Sequence, residues 1–323
     1  MNDSSTNATA SFDQLTVFET IFYMGNGAMG AVFNFVVLYI AFRHIDMEDK
    51  PRQIIVVNMT VADFLFCVVY VMTRPFLRFF PVWSCSSYYV TIWTCQLCSC
   101  FNLLWLNLDK LIYIQFPLHY CQLVNKRRVY ILSAVTWFVL ISMSLSVDHF
   151  MEIKDNCSQV RLSPTVYLPI CIVYVLLILA SFVCSAIIYV IAHTTTRMES
   201  VARSQMLRRL LFLFSSTLWT FFTCLPYRML YLISLVFPNV VSQTFIEVTS
   251  QFFRVLVVGI VVNAVITIGT QYIYRNRVFD WCGIRPRRSN GEVDTIVSTA
   301  PRKQSTKMIL EGIPLNTKSE QEY

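Results

Sequence analysis

Residues 107–120 read NLDKLIYIQFPLHY, placing an acid and a base, Asp109 and Lys110, side by side just before a proline, Pro117, where a helix stops. Charges at the end of an apolar run can reach water, so keeping them there costs little. Asp63 lies inside the apolar stretch NMTVADFLF. A carboxylate at that depth is costly, which makes it a functional candidate. Arg74, Arg78, Arg228 and Arg254 interrupt other apolar runs, and a guanidinium fork suits two-point binding of a carboxylate. His44, His119, His149 and His193 all fall at or beyond the ends of apolar runs, so no acid pair or nucleophile–base pair assembles and enzyme chemistry is excluded. Cys95, Cys98 and Cys100 share one apolar helix, where cysteine packs as a small hydrophobe rather than holding metal.

The elements that carry these residues follow from composition. The 323-residue chain is 55% hydrophobic and 14% charged, too apolar for a soluble domain. A helix needs roughly 20 apolar residues to cross a bilayer. Segments at about 18–43, 53–76, 83–115, 129–148, 164–192, 206–236 and 246–272 meet that length. The net charge of +7 does not point to nucleic acid, because the bases cluster in alternate loops, around Arg43 to Arg52, Lys126 to Arg128, Arg197 to Arg209 and Arg275 to Arg288. That asymmetry places the N-terminus outside and the C-terminus in the cytoplasm. No positively charged leader precedes the first span. Residues 1–17 then form an extracellular tail, 18–284 the membrane domain, and the polar 285–323 segment a disordered cytoplasmic tail.

Seven spans with this orientation match the layout of a G-protein-coupled receptor. DKLIYIQFPLHY resembles the DRYxxIxxPLxY signature of the rhodopsin-like family, with Asp109, Ile114, Pro117, Leu118 and Tyr120 in register. Asn34, Asp63, Trp137, Pro169, Pro226 and Asn263 resemble further family landmarks in spans one, two, four, five, six and seven. CLPY at 224–227 is similar to the CWLPY of peptide receptors. The implied fold is an all-α membrane protein, a seven-transmembrane helix bundle with a short amphipathic eighth helix in YRNRVFDWC, whose Phe279 and Trp281 face lipid. The sequence also departs from the pattern. Lys110 replaces Arg, Leu111 replaces Tyr, Ala264 and Thr267 stand in the NPxxY positions, Cys224 takes the place of the switch Trp, and Met206 that of a Glu. Lysine lacks the planar multi-donor fork of arginine, so these departures bear on the resting state.

The resemblance implies roles for particular residues. Asp109, Lys110, Pro117 and Leu118 would engage a heterotrimeric G protein, with the acid holding the base while the receptor is off. Asn34, Asp63, Pro226 and Asn263 would form the conformational switch. Cys85 and Cys157 would form the disulfide between span three and the second outer loop. The short connection around 77–84 leaves Cys85 nearer to Asp63 than is usual in the family. Two readings fit Asp63: with Ser99 and Asn263 it could hold an allosteric sodium ion, or it is a hydrogen-bonded tie between spans two and seven. No other cofactor is implied.

For the ligand, Ile92 occupies the position where amine receptors carry Asp, and span seven has no lysine, which removes amines and opsin chemistry. The expected pocket comprises Arg74, Ile92, Cys224, Tyr227, Arg228 and Arg254, with Arg254 also able to pair with Glu247. An extracellular neuropeptide with an acidic group or free C-terminus fits these cations. Asn2 and Asn7 head sequons in the outer tail, whereas the Asn58 sequon is buried in span two. Cys282 is a juxtamembrane palmitoylation candidate that would bring lipid contact. Ser298, Thr299, Ser305 and Thr306 would take phosphate from a receptor kinase and recruit arrestin. These assignments place the chain in the plasma membrane. The alternative within the fold is a chemosensory receptor for small molecules. A transporter or channel would show inverted repeats or several buried acids, and only Asp63 qualifies.

Overall fold

The computed structural model describes residues 16–45, 51–116, 118–153, 157, 160–162, 164–194 and 200–283. The long helices are α1 (Val17–His44), α2 (Arg52–Leu65), α3 (Val82–Gln115), α5 (Lys126–Asp148), α6 (Pro164–Thr194), α7 (Ser200–Val236) and α8 (Gln243–Thr270). Short α4 (Tyr120–Leu123) follows α3, and α9 (Tyr272–Trp281) follows α8. Seven of these helices, with α2 extended to Val71, are long and apolar enough to cross a membrane. The departure from an all-helical chain is a hairpin of β1 (Met151–Ile153) and β2 (Val160–Leu162), antiparallel with Glu152 opposite Arg161.

Local chemistry sets the helix starts. Thr16 and Glu19 form a reciprocal capping box on α1, while Asn125 and Ser242 accept backbone N–H groups at the starts of α5 and α8. Pro51 and Pro81 precede α2 and α3. Pro169 and Pro226 lie inside α6 and α7, where each removes a backbone donor. Beyond Leu65 the chain widens into a π-helical stretch, Phe66–Val71, then tightens into a 3₁₀ stretch, Arg74–Phe79. A 3₁₀ helix rises about 2.0 Å per residue against about 1.5 Å in an α-helix.

Side chains on the bundle's outside are apolar, with Phe18, Phe35 and Phe42 of α1 and Phe138 and Leu145 of α5 all exposed. Glycine permits the closest helix approaches. A Cβ on Gly27 would meet Met72 at 2.4 Å, and one on Gly30 would meet the Cys67 sulfur at 2.5 Å, so α1 packs on the π-helical stretch through bare backbone.

Residues 272–281 form the helix expected after the seventh span. Trp281 is half exposed, with its ring 5.7 Å from that of Tyr39, in keeping with a residue on the outer face. Tyr274 is the fully buried member, packed with Val37, Ile40, Ala41 and Val57. Its hydroxyl donates to Gln53 Oε1 at 3.1 Å, and Gln53 Nε2 donates to Gln271 Oε1 at 3.4 Å. Tyr274→Phe removes the donor and leaves Gln53 short of a partner, for an expected loss of about 0.5–1.5 kcal/mol. Thermal unfolding of the purified protein checks this, and an unchanged midpoint refutes it.

Candidate functional site: a tied bundle core with a charged cavity

Three clusters assemble along the bundle, from the disulfide end of α3 to its C-terminal end. At the first end Cys85 and Cys157 are bonded, with Cα atoms 5.2 Å apart. Tyr89 Oη donates to the Cys157 carbonyl at 2.9 Å, a second tether of the hairpin loop to α3.

The second cluster surrounds a cavity between α2, α3, α6, α7 and α8. Arg228, Gln96 and Cys224 line it toward the disulfide end, and Asp63, Ser99 and Asn263 line it deeper. Arg228 is only 4% exposed. Its guanidinium lies 4.0 Å from the Tyr174 ring and 5.4 Å from the Tyr227 ring. It donates to Gln96 Oε1, and to Tyr167 Oη at 3.5 Å. Four other expected pocket residues do not line the cavity. Arg74 donates to Tyr70 Oη at 2.5 Å and stacks over Tyr23, Tyr70 and Phe253, a ring cage outside the cavity. Arg254 pairs at 2.7 Å with Glu19 rather than with Glu247, because the α1 capping box aims Glu19 at α8. Ile92 is buried in the helix core, and Tyr227 packs on Phe253 with centroids 5.2 Å apart.

Deeper in the cavity, Ser216 donates to Asn263 Oδ1 at 2.7 Å, and Asn263 Nδ2 donates to Asp63 Oδ2 at 3.2 Å. Ser99 of α3 lines the cavity beside them. The chain of bonds joins α7, α8 and α2. A sodium ion fits this set poorly. Asn263 presents its N–H to Asp63, and its oxygen is committed to Ser216, which leaves one carboxylate and one hydroxyl for a hard cation that favours many oxygens. Of the two readings of Asp63, the geometry fits the hydrogen-bonded tie. Nearby, Trp219 Nε1 donates to the Gly259 carbonyl at 2.9 Å, and Asn107 Nδ2 to Thr217 Oγ1 at 3.2 Å, tying α7 to α8 and to α3. Asn34 stays apart from this network, donating to Gly30 O within its own helix at 2.9 Å.

The third cluster lies at the C-terminal end of α3. Asp109 is buried, accepts from Tyr120 Oη at 2.8 Å, and faces Arg52 Nε at 3.7 Å. Lys110 Nζ lies 5.1 Å from the Tyr113 ring, whose edge meets Tyr120. Tyr120 of α4 and Arg52 of α2 thus both face the acid, two partners beyond its neighbour in the chain. Sequence reasoning had placed Tyr120 in register without its bond and had read Arg52 only as a loop charge. Leu118 is 89% exposed beside this cluster. Asn58, within α2, donates to Ser133 of α5, which fits its exclusion as a glycan site. Cys282 is exposed at the end of α9, before Gly283 in the left-handed region at φ 70°. Pro117, Asn2, Asn7, the tail beyond 284 and the side chain of Met206 lie outside the described residues.

A transmembrane core tied from α2 to α8, with the Asp109 cluster at one end and the disulfide at the other, coincides with a direct family match. The family described as the seven-transmembrane receptor (rhodopsin family) matches residues 33–266. The chain belongs to that family. It is a multi-pass membrane receptor and not an enzyme. It is also similar to the G-protein coupled receptor aex-2 of Caenorhabditis elegans, with 54% identity over 295 residues, 90% of this chain and 92% of that one.

Proposed function

We propose that this receptor binds an extracellular peptide at its disulfide end and activates a heterotrimeric G protein at the Asp109–Lys110 end. The observation that carries the reading is the cavity beneath the disulfide-tethered hairpin, which continues inward to the Asp63 tie. A peptide entering it acts on the same residues that join α2, α7 and α8. The N-terminus faces outward at the plasma membrane, in line with the basic loops at the other side. The relative's printed description as a G-protein coupled receptor supports the transducer assignment.

The mechanism is a population shift. A peptide with higher affinity for the arrangement in which α7 has swung out about Pro226 favours that arrangement, and the opened face exposes Lys110 to the G protein. Only differential affinity moves the equilibrium, and a shift from 1:99 to 99:1 takes about 5.5 kcal/mol. Receptor kinase and arrestin then act on Ser298, Thr299, Ser305 and Thr306; Asn2 and Asn7 carry glycans outside, and Cys282 carries palmitate.

The test is cAMP and calcium in cells expressing the chain against a panel of secreted peptides, with Lys110→Ala at matched surface level. A peptide response lost in the variant is the expected result. A response unchanged by Lys110→Ala removes Lys110 from coupling, and activation by volatile small molecules with no peptide response replaces the peptide reading with chemosensation.

A further inference from the structure

We propose that Arg228 is a carboxylate anchor, so that the ligand enters the cavity acid end first. The proposal deepens the receptor reading above, but its main test does not depend on the ligand's being a peptide.

The buried and half-buried arginines of the bundle provide the contrast. Arg52 faces Asp109, and Arg254 pairs with Glu19. Arg74 is caged by rings away from the cavity. Arg228 alone among these lines the cavity, and among the described residues no carboxylate lies within ion-pair distance of it. Burying a guanidinium without an anion is costly, and the structure offsets the cost only with neutral groups. These are the faces of Tyr174 and Tyr227, the hydroxyl of Tyr167 and the side-chain carbonyl of Gln96. Tyr174 Oη in turn lies 3.4 Å from Gln96 Oε1, and donates to the Trp93 carbonyl at 3.3 Å. The shell therefore holds the guanidinium in place while leaving its charge uncancelled.

A carboxylate supplies what is missing: one negative charge and two oxygens spaced for the guanidinium fork. A phosphate dianion fits less well, because a single cation balances only one of its charges. A peptide C-terminus and an acidic side chain are the two sources of such a carboxylate. Either source also explains why the site carries glutamine at 96 rather than glutamate, since an internal acid there would satisfy Arg228 permanently.

The direct probe is phenylacetate against phenylacetamide, which differ in the carboxylate, added to the full chain in nanodiscs with thermal stability as the readout. Phenylacetate is expected to raise the midpoint, phenylacetamide is not, and Arg228→Gln is expected to abolish the difference. Gln96→Glu provides a variant that keeps Arg228. It is expected to raise the midpoint without any probe and to remove the phenylacetate effect. Equal effects of the two compounds, or a phenylacetate effect that survives Gln96→Glu, overturn the anchor. Synthetic octapeptides made as free acids and as C-terminal amides identify the source. Amidation that weakens an active peptide roughly 10- to 100-fold on wild type, and not on Arg228→Gln, assigns the C-terminus. Loss only on Asp→Asn or Glu→Gln exchange within the peptide assigns a side chain. Silence of every peptide alongside an intact phenylacetate effect supports the anchor and counts against the peptide reading.

Discussion

Gly259→Ala is expected to lower the thermal midpoint of the purified receptor sharply, and trimming Thr223 to restore it in steps. A Cβ at 259 would lie 2.7 Å from Thr223 Oγ1 and 2.9 Å from Thr223 Cβ, closer than real contacts allow. Both groups sit on helices, α7 and α8, so the clash is relieved only by moving one helix or distorting a side chain. Overpacking of this kind costs about 1–3 kcal/mol. The strain also reaches the Trp219 indole, which is bonded to the Gly259 carbonyl at 2.9 Å, and the Asp63 tie one turn further along α8. Thr223→Ala in the Gly259→Ala background removes the hydroxyl contact but leaves the Cβ, so rescue is partial. Thr223→Gly removes both contacts, offset by the roughly 1 kcal/mol that glycine costs inside a helix. A midpoint unchanged by Gly259→Ala, or a double variant no better than the single, shows that α7 and α8 do not meet closely here. Overpacking with rescue places this glycine at the interface that the outward movement of α7 must open.

That glycine marks a boundary in what the sequence reveals. The spans were legible because an apolar run of sufficient length has few alternatives in a bilayer. The positions of Asp63, Ser99, Asn263 and the Cys85–Cys157 pair followed from the family pattern in the chain. Gly259, by contrast, carries no signal in the sequence, which does not disclose which side chain faces it across the interface. The same limit explains the arginines. Arg74, Arg228 and Arg254 look alike in sequence, each a base near the end of an apolar run. Only rotation about the helix axis separates a caged residue, a paired one and one facing the cavity. Glu19 was unremarkable as an acid near the chain's first span, until the capping box fixed its rotamer toward Arg254. Backbone irregularity was also hidden. No residue in FCVVYV announces a π-helical stretch, which is selected by the close packing of Cys67 and Met72 against Gly30 and Gly27. The hairpin was read simply as a loop, since strands of three residues leave too little alternation to recognise.

Arg52→Ala is expected to destabilise the end of the bundle that carries Lys110, and Asp109→Asn in the same chain to restore most of the loss. Asp109 has a side chain 4% exposed, against 22% for Arg52. Deleting Arg52 therefore strands a buried carboxylate whose remaining described donor is Tyr120, while deleting the acid leaves an arginine that can turn to water. The pair stands at 3.7 Å with neither facing atom hydrogen-bonded among the described residues, so the interaction is chiefly Coulombic. Its partial exposure discounts it below a fully buried pair. An unsatisfied buried acceptor costs about 1–3 kcal/mol, a factor of about 5 to 150 in the populations it biases. Neutral asparagine at 109 lowers the need for the base, so the double variant should be more stable than Arg52→Ala alone. Equal stability of the two refutes the pairing. Tyr120→Phe gives an independent arm, because it removes the 2.8 Å donor without touching the Coulomb partner, and its effect should grow when Arg52 is absent. Coupling between these sites would assign to α2 and α4 a share in holding the acid at this end of the bundle.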